Sequence, residues 1–325
     1  MRANGPGRSA VAGGDGAKPA SEAWRRQRRK QIQIFPGSTV ASGQVVVKIR
    51  GRSQGQAPVL RNNNFAKIEL SYWVARLSSW PRKPRMPTLP PVIFQDEALI
   101  AFNKPSGLLV SPDPRARTSV CLMTLAQEKF GAGLANVHRV EADASGLVLC
   151  AKTKPALDFV SGQFQSKTVG NYYEAIVVGA PPLENYEVDF VLKEDEAAPE
   201  RMCVVKKHGQ AAVTEFRVLA RYGRFTHLEC RPRTGRKHQI RVHLAASGTP
   251  ILNDPVYGDE TRLLLSGFKR GYKGREDERP LIGRLALHAS RLTFTHPVSR
   301  ERMTLAAPLP KDLQVALKYL GKYSA

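Results

Sequence analysis

Apolar positions beyond residue 92 fall in short, dense runs bounded by polar or turn-forming residues. VIFQ (92–95), ALIAFNK (98–104), GLVLCAK (146–152), YYEAIVVG (172–179), AAVTEFRVL (211–219), FTHLECRP (225–232), HQIRVHLA (238–245) and RLTFTHP (291–297) are rich in β-branched and aromatic residues and predict strands. Two stretches have helical spacing instead. SVCLMTLAQEKFG (119–131) places Leu122, Leu125 and Phe130 on one side, and KPALDFVSGQFQS (154–166) does so with Leu157, Val160 and Phe164. Strands outnumber helices and often follow one another directly. That predicts an α+β domain with a largely antiparallel sheet.

The chain before residue 92 has a different texture. Residues 1–32 are rich in Gly, Ala, Ser and Arg and carry the cluster AWRRQRRKQ (23–31). Three readings stand together for this arm: an organelle transit segment, mitochondrial or other, a basic arm ordering on RNA phosphates, or a solvated tail. Residues 33–80 contain two strand-like runs, IQIF and QVVVKIRG, and one helix-like run, IELSYWVARLSSW. They predict a small appended module without stating its role. WPRKPRMPTLPP (80–91) has five prolines in twelve residues and predicts a stiff linker over 81–91. The main domain then spans 92–310, and 311–325 is left as a C-terminal tail.

Charge changes the picture more than composition does. The 325 residues carry a formal net charge of +22. Residues 1–90 hold 17 Lys/Arg against 3 Asp/Glu, a surplus of +14. A field of that sign attracts polyanions, RNA first among them. No run reaches the ~18 apolar residues of a membrane span, no basic amphipathic helix with a bulky apolar face is evident, and no secretory leader opens the chain, so an intracellular protein without a membrane partner is expected. The cysteines, Cys121, Cys150, Cys203 and Cys230, form neither a CxxC pair nor a zinc spacing and read as reduced, mostly buried thiols. GxGxxG and GxxxxGK[ST] are absent, so no nucleotide cofactor is indicated.

Candidate chemistry sits in two stretches. HRVEADASG (138–146) sets Glu141 and Asp143 before a small-residue turn that leads into a strand. RPRTGRKHQIRVH (231–243) gathers five Arg/Lys and two histidines in thirteen positions. Read as a strand, it puts Arg236, His238 and Ile240 on one face and Lys237, Gln239 and Arg241 on the other. One reading is a phosphate-binding face. A sharper one turns Arg236, beside Gly235, inward to hold a carboxylate in ionised form. The separation of His238 and His243 argues against a shared metal.

Taken together with NKPSGLLV (103–110), SKTVGNYYEAIVVG (166–179), AVTEFRVL (212–219), DPVYG (254–258) and LHASRLTFTHP (287–297), these stretches resemble the RluA-type RNA pseudouridine synthases over residues 92–310. The resemblance implies a mixed, mainly antiparallel sheet split by a basic cleft into which a uridine is flipped, with no cofactor and no metal. The family's catalytic Asp falls on Glu141, its Arg partner on Arg236, its Tyr on Tyr173 and its apolar base contact on Ile240. Arg139, Arg233, Lys237, His238, Arg241 and Lys104 are the expected RNA and substrate contacts. The chain departs from the family at Glu141, at Ala144 where a threonine is usual, and at Gly170 and Asn171 where basic residues are usual. Two functions remain open at this point. One is a pseudouridine synthase acting on structured, ribosomal RNA. The other is a catalytically silent homologue serving in ribosome assembly, with ribosomal or assembly proteins as partners.

Overall fold

The computed structural model describes residues 88–112, 120–259 and 261–324. The readings made for 1–32, for 33–80 and for the first part of the 81–91 linker lie outside them. Eleven strands form one sheet: β1 Val92–Gln95, β2 Leu99–Lys104, β3 Ala135–Asn136, β4 Ser145–Ala151, β5 Gly170–Val178, β6 Asn185–Glu194, β7 Met202–Val205, β8 Gln210–Tyr222, β9 Phe225–Pro232, β10 Leu287–Thr295 and β11 Arg302–Ala306. The order is β1-β2-β4-β10-β5-β9-β8-β6-β7, with β11 on β10 and β3 on β4. β4 and β10 run parallel. Every other pairing is antiparallel. The α+β fold is mainly antiparallel, as the strand pattern predicted, and mixed, as the family resemblance implied.

The run that reads as continuously apolar, β4, is buried along its whole length. Its alternation feeds two cores. Leu147 and Leu149 pack with Leu99, Ala101, Leu292 and Phe294 on one face. Val148 and Cys150 pack with Ile100, Phe102, Leu122 and Ala126 on the other. Both predicted helices form. Helix α1 (Leu122–Phe130) is capped by Cys121 and Thr124. In α2 (Lys154–Gln165) the Thr153 hydroxyl accepts from Ala156 N–H at 3.3 Å, with Pro155 in the first turn, where its missing N–H costs nothing. Cys121, Cys150 and Cys230 are free and buried, and Cys203 is half-buried.

Two expectations are corrected. HQIRVHLA is not a strand: residues Gln239–Ala246 form helix α3. Gly248, at φ +77, closes it, with Gly248 and Thr249 N–H donating back to Ala245 and Leu244 carbonyls. Residues 311–325 are not a loose tail. Lys311–Tyr323 form helix α4, whose Leu313, Ala316 and Leu320 sit in the main core at helical spacing, anchored by an Arg284–Asp312 ion pair at 2.8 Å. Strands β3, β6, β7 and β11 are additions. Asn185–Glu194 interleaves exposed polar and acidic residues with Tyr186, Val188, Phe190 and Leu192, of which Val188 and Leu192 are buried, a weaker signal than a continuous apolar run.

The parallel β4–β10 contact fixes where the site begins. His288 lies opposite Ser145 and Ala289 opposite Gly146. Gly146 has φ +119, and a Cβ there would stand 2.2 Å from the Ala289 carbonyl oxygen. Only glycine lets the strands approach this closely, and the loop 138–144 enters the sheet directly before that point.

Candidate active site

The acid-bearing loop is held from below by a lysine. Lys104, at the end of β2 and fully buried, donates to the carbonyls of Leu108 (2.8 Å), Ala142 (3.1 Å), Ala144 (2.6 Å) and Pro105 (3.0 Å). Burial pulls its pKa down to about 7, with Asp143 the first of the charges that oppose the shift. Those carbonyls favour the charged form. Ser106 adds a bond to the Asp143 carbonyl at 2.6 Å. His138 is stacked on Phe164 at 5.2 Å, and its Nε2 accepts from Leu149 N–H at 3.1 Å. Burial lowers its pKa to about 4, so the ring is neutral. Lys104→Met deprives buried carbonyls of their donor and is expected to destabilise the domain by about 1–3 kcal/mol. An unchanged urea midpoint would show that the loop does not depend on it.

Glu141 sits above this brace. Its Oε2 accepts from Arg241 Nη1 at 2.8 Å, and His238 Nε2 lies 3.9 Å away. Arg241 is 2% exposed and also makes a two-pronged pair with Asp254, Nε to Oδ2 and Nη2 to Oδ1, both at 2.7 Å. Asp254 accepts further bonds from Val256 and Tyr257 N–H at 2.9 and 3.0 Å. Burial acts against the Asp254 charge, but these donors more than offset it and its pKa is lowered. Glu141 has one partner where Asp254 has several. Burial dominates there and raises its pKa, with Arg241 pulling the other way. Arg241 is thus fixed by one carboxylate and presents its remaining edge to the other.

The Tyr257 hydroxyl accepts from Met202 N–H at 2.7 Å and lies 2.9 Å from His238 Nδ1. His238 thus shares a hydrogen bond with that hydroxyl through Nδ1 and turns Nε2 toward Glu141. Burial, then the Arg241 charge, lowers the His238 pKa to about 4. His238 adopts φ +53 at the start of α3, a left-handed conformation uncommon for a non-glycine residue.

These groups open into a cleft of about 710 Å³. Tyr173 on β5 and Ile240 on α3 form its apolar side, Arg139, Arg236 and Lys237 supply the cationic edge, and the neutral ring of His238 lies beside them. Tyr173 is 9% exposed, and burial pushes its hydroxyl up to about 12, so it stays a neutral ring. Among the described residues no group of three His, Cys, Asp or Glu could hold a metal.

The structure brings Glu141 and Tyr173 to one cleft as expected, but it replaces the expected arginine. Arg236 is exposed at the rim and donates Nε to the Ala211 carbonyl at 3.1 Å, whereas Arg241 holds Glu141. A strand would have turned residue 241 away from 240 and 238. The helix, starting at Gln239, turns its guanidinium onto the acid instead. Arg233 faces Glu215 at 3.2 Å, outside the cleft lining, and Lys237 is engaged with Glu194 at 3.4 Å and the Pro199 carbonyl at 2.9 Å. Lys104 lies beneath the site as a positioning residue and not along the cleft wall. Asp254 and Tyr257 belong to DPVYG, which the sequence singled out without assigning its residues a task. The charged, glycine-bearing loop 263–280 contributes nothing to the lining.

The sheet is thus opened by a cleft with a cationic edge, in which a carboxylate clamped by arginine shares the lining with a buried tyrosine. A family model described as RNA pseudouridylate synthase matches residues 98–246. The ribosomal large subunit pseudouridine synthase D of Neisseria meningitidis serogroup A is 36% identical over 235 residues, covering 70% of this chain and 60% of that protein. Its namesake in Zymomonas mobilis is 34% identical over 241 residues, covering 70% and 72%. Among solved structures, human RNA pseudouridylate synthase domain containing 4 superposes with a TM-score of 0.54 at 25% identity, over 79% of this chain and 98% of that one. The chain belongs to the RNA pseudouridylate synthase family. It spans 60% of the length of the Neisseria relatives.

Proposed function

We propose that this protein isomerises uridine to pseudouridine in a structured RNA, with ribosomal RNA as the substrate class. The observation that carries the proposal is the Glu141 carboxylate held at 2.8 Å by Arg241 in the cleft that Tyr173 also lines. In the reaction the C1′–N1 bond breaks, the uracil turns, and C5 bonds to C1′ while the C5 proton leaves and N1 gains one. Glu141 acts at the ribose, by attacking C1′ or by removing a ribose proton. Arg241 keeps its geometry through both stages because Asp254 holds it independently. Tyr173 and Ile240 retain the detached ring by packing. Arg139 and Arg236, at the cleft edge, meet the phosphates around the flipped nucleotide, whose unstacking costs a few kcal/mol. The cationic surplus and the curated relatives' names support RNA of the ribosome over small nucleosides.

The full chain, incubated with large-subunit ribosomal RNA labelled as 5-³H-uridine, is expected to release tritium to water with multiple turnovers. Background release with retained RNA binding would overturn the enzymatic reading and leave a silent RNA-binding homologue.

A further inference from the structure

The loop 263–280 and helix α4 meet in a second cationic surface that takes no part in the cleft. The loop is built, not slack. Leu263 and Ile282 at its ends are fully buried, Leu281 N–H donates to the Leu263 carbonyl at 2.9 Å, and Ser266 N–H donates to Glu278 at 3.0 Å. A Cβ on Gly274 would meet that same Glu278 carboxylate at 2.4 Å, so the chain is folded closely upon itself.

Across this loop Lys269 Nζ lies over two rings, Tyr272 of the loop at 5.3 Å and Tyr323 of α4 at 5.2 Å. Tyr323 is stacked on Tyr319 with centroids 6.0 Å apart and planes 18° apart, and Lys322 lies over it at 5.3 Å. Lys318 stands one helical turn before Lys322, and Lys273 follows Tyr272 in the loop. Of the nearby acids, Asp312 pairs with Arg284 and Glu278 accepts from the Ser266 backbone, while Glu276 and Asp277 lie in the same loop, which also carries Arg270, Arg275 and Arg279. Among the described residues none of Lys269, Lys273, Lys318 and Lys322 forms an ion pair within 4.0 Å. The arginines around Tyr172 differ, since Arg217, Arg231 and Arg291 each pair with a glutamate at 2.9–3.2 Å.

We propose that this face binds a single-stranded stretch of RNA beyond the nucleotides in the cleft, with phosphates on the lysines and a base on the exposed ring of Tyr272. The inference rests on RNA being the substrate class. Unpaired cations interleaved with aromatic rings match a sugar-phosphate chain carrying flat bases, whereas an acidic peptide would use the charges and leave the rings idle.

The test uses the full chain and a fluorescein-labelled uridine oligomer of about 30 nucleotides across a salt series. Lys269→Glu/Lys273→Glu/Lys322→Glu is expected to lower the log–log salt slope by about two, since each single-strand phosphate contact contributes about 0.7. Tyr272→Ala, which keeps the charge, is expected to weaken binding about fivefold or more with an unchanged slope. Unchanged slope and affinity in both variants overturn the proposal. The rim variant Arg236→Glu separates this from failure of the RNA reading. If it weakens binding and the patch variants do not, the cleft binds RNA and the second surface does not. If none weakens it, the RNA reading falls as well. Competition by polyglutamate as strong as by RNA at equal charge would make the face an acidic-protein surface and also overturn the proposal.

Discussion

Glu141→Gln is expected to lower tritium release at least about a thousandfold while leaving the RNA dissociation constant within about twofold. The change removes the anion and almost nothing else. Arg241 keeps its two 2.7 Å bonds to Asp254, so the guanidinium is not stranded and the fold holds. The amide oxygen can still accept from Arg241. Retained turnover in Glu141→Gln would remove this residue from the chemistry and leave the cleft a binding site. Glu141→Asp is the finer probe. Withdrawing the carboxylate by ~1.5 Å breaks a contact that now stands at 2.8 Å, and displacement of about 1 Å in a positioned reaction costs about a hundredfold. A rate increase would mean instead that the longer side chain overreaches. Because burial raises the Glu141 pKa above its ordinary 4.5, the wild-type rate falls on the acid side with a midpoint above that value. The carboxylate is the working form, and it is lost as pH drops through the raised pKa.

Arg241→Met has the largest expected effect on stability, about 3–5 kcal/mol, as a loss of thermal and urea midpoints. The argument runs through Asp254, whose side chain is 0% exposed and whose charge is held by Arg241 and two backbone N–H groups. Without the guanidinium a buried carboxylate is left partly uncompensated. Adding Asp254→Asn should restore part of the stability but none of the activity, because Glu141 then has no cation. If Arg241→Met melts as the wild type does, the Glu141–Arg241–Asp254 chain is not the structural keystone described here.

The sheet was legible where apolar residues are continuous or nearly so. GLVLCA has no polar alternative, and YYEAIVV is interrupted only by Glu174, so their strands could be placed by content alone. β6 escaped because its exposed polar and acidic residues interrupt the buried Val188 and Leu192. The acid and the tyrosine were legible through the family resemblance, whose motifs lie in or before strands that the core holds in register and so keep their alignment. The arginine was not. Assigning 238–245 to a strand separated residue 241 from the cleft, and one change of element reverses which cation meets Glu141. The signal that could have corrected it was present: Ala245 and Ala246 followed by Ser247-Gly248 form a helix ending, and Ile240 with Leu244 keeps helical spacing. The roles of Asp254 and Tyr257 were beyond sequence reasoning, since they depend on the turn after α3 folding back onto that helix, which residue spacing alone does not disclose.

β4 has every residue buried and neighbours on both sides, the part of a sheet whose backbone opens last. The acid precedes that strand by only four positions, with Lys104 underneath. The pocket floor therefore stands ready before any ligand arrives, and adaptation falls on the nucleic acid, which must unstack and twist its own nucleotide into a mould that scarcely yields.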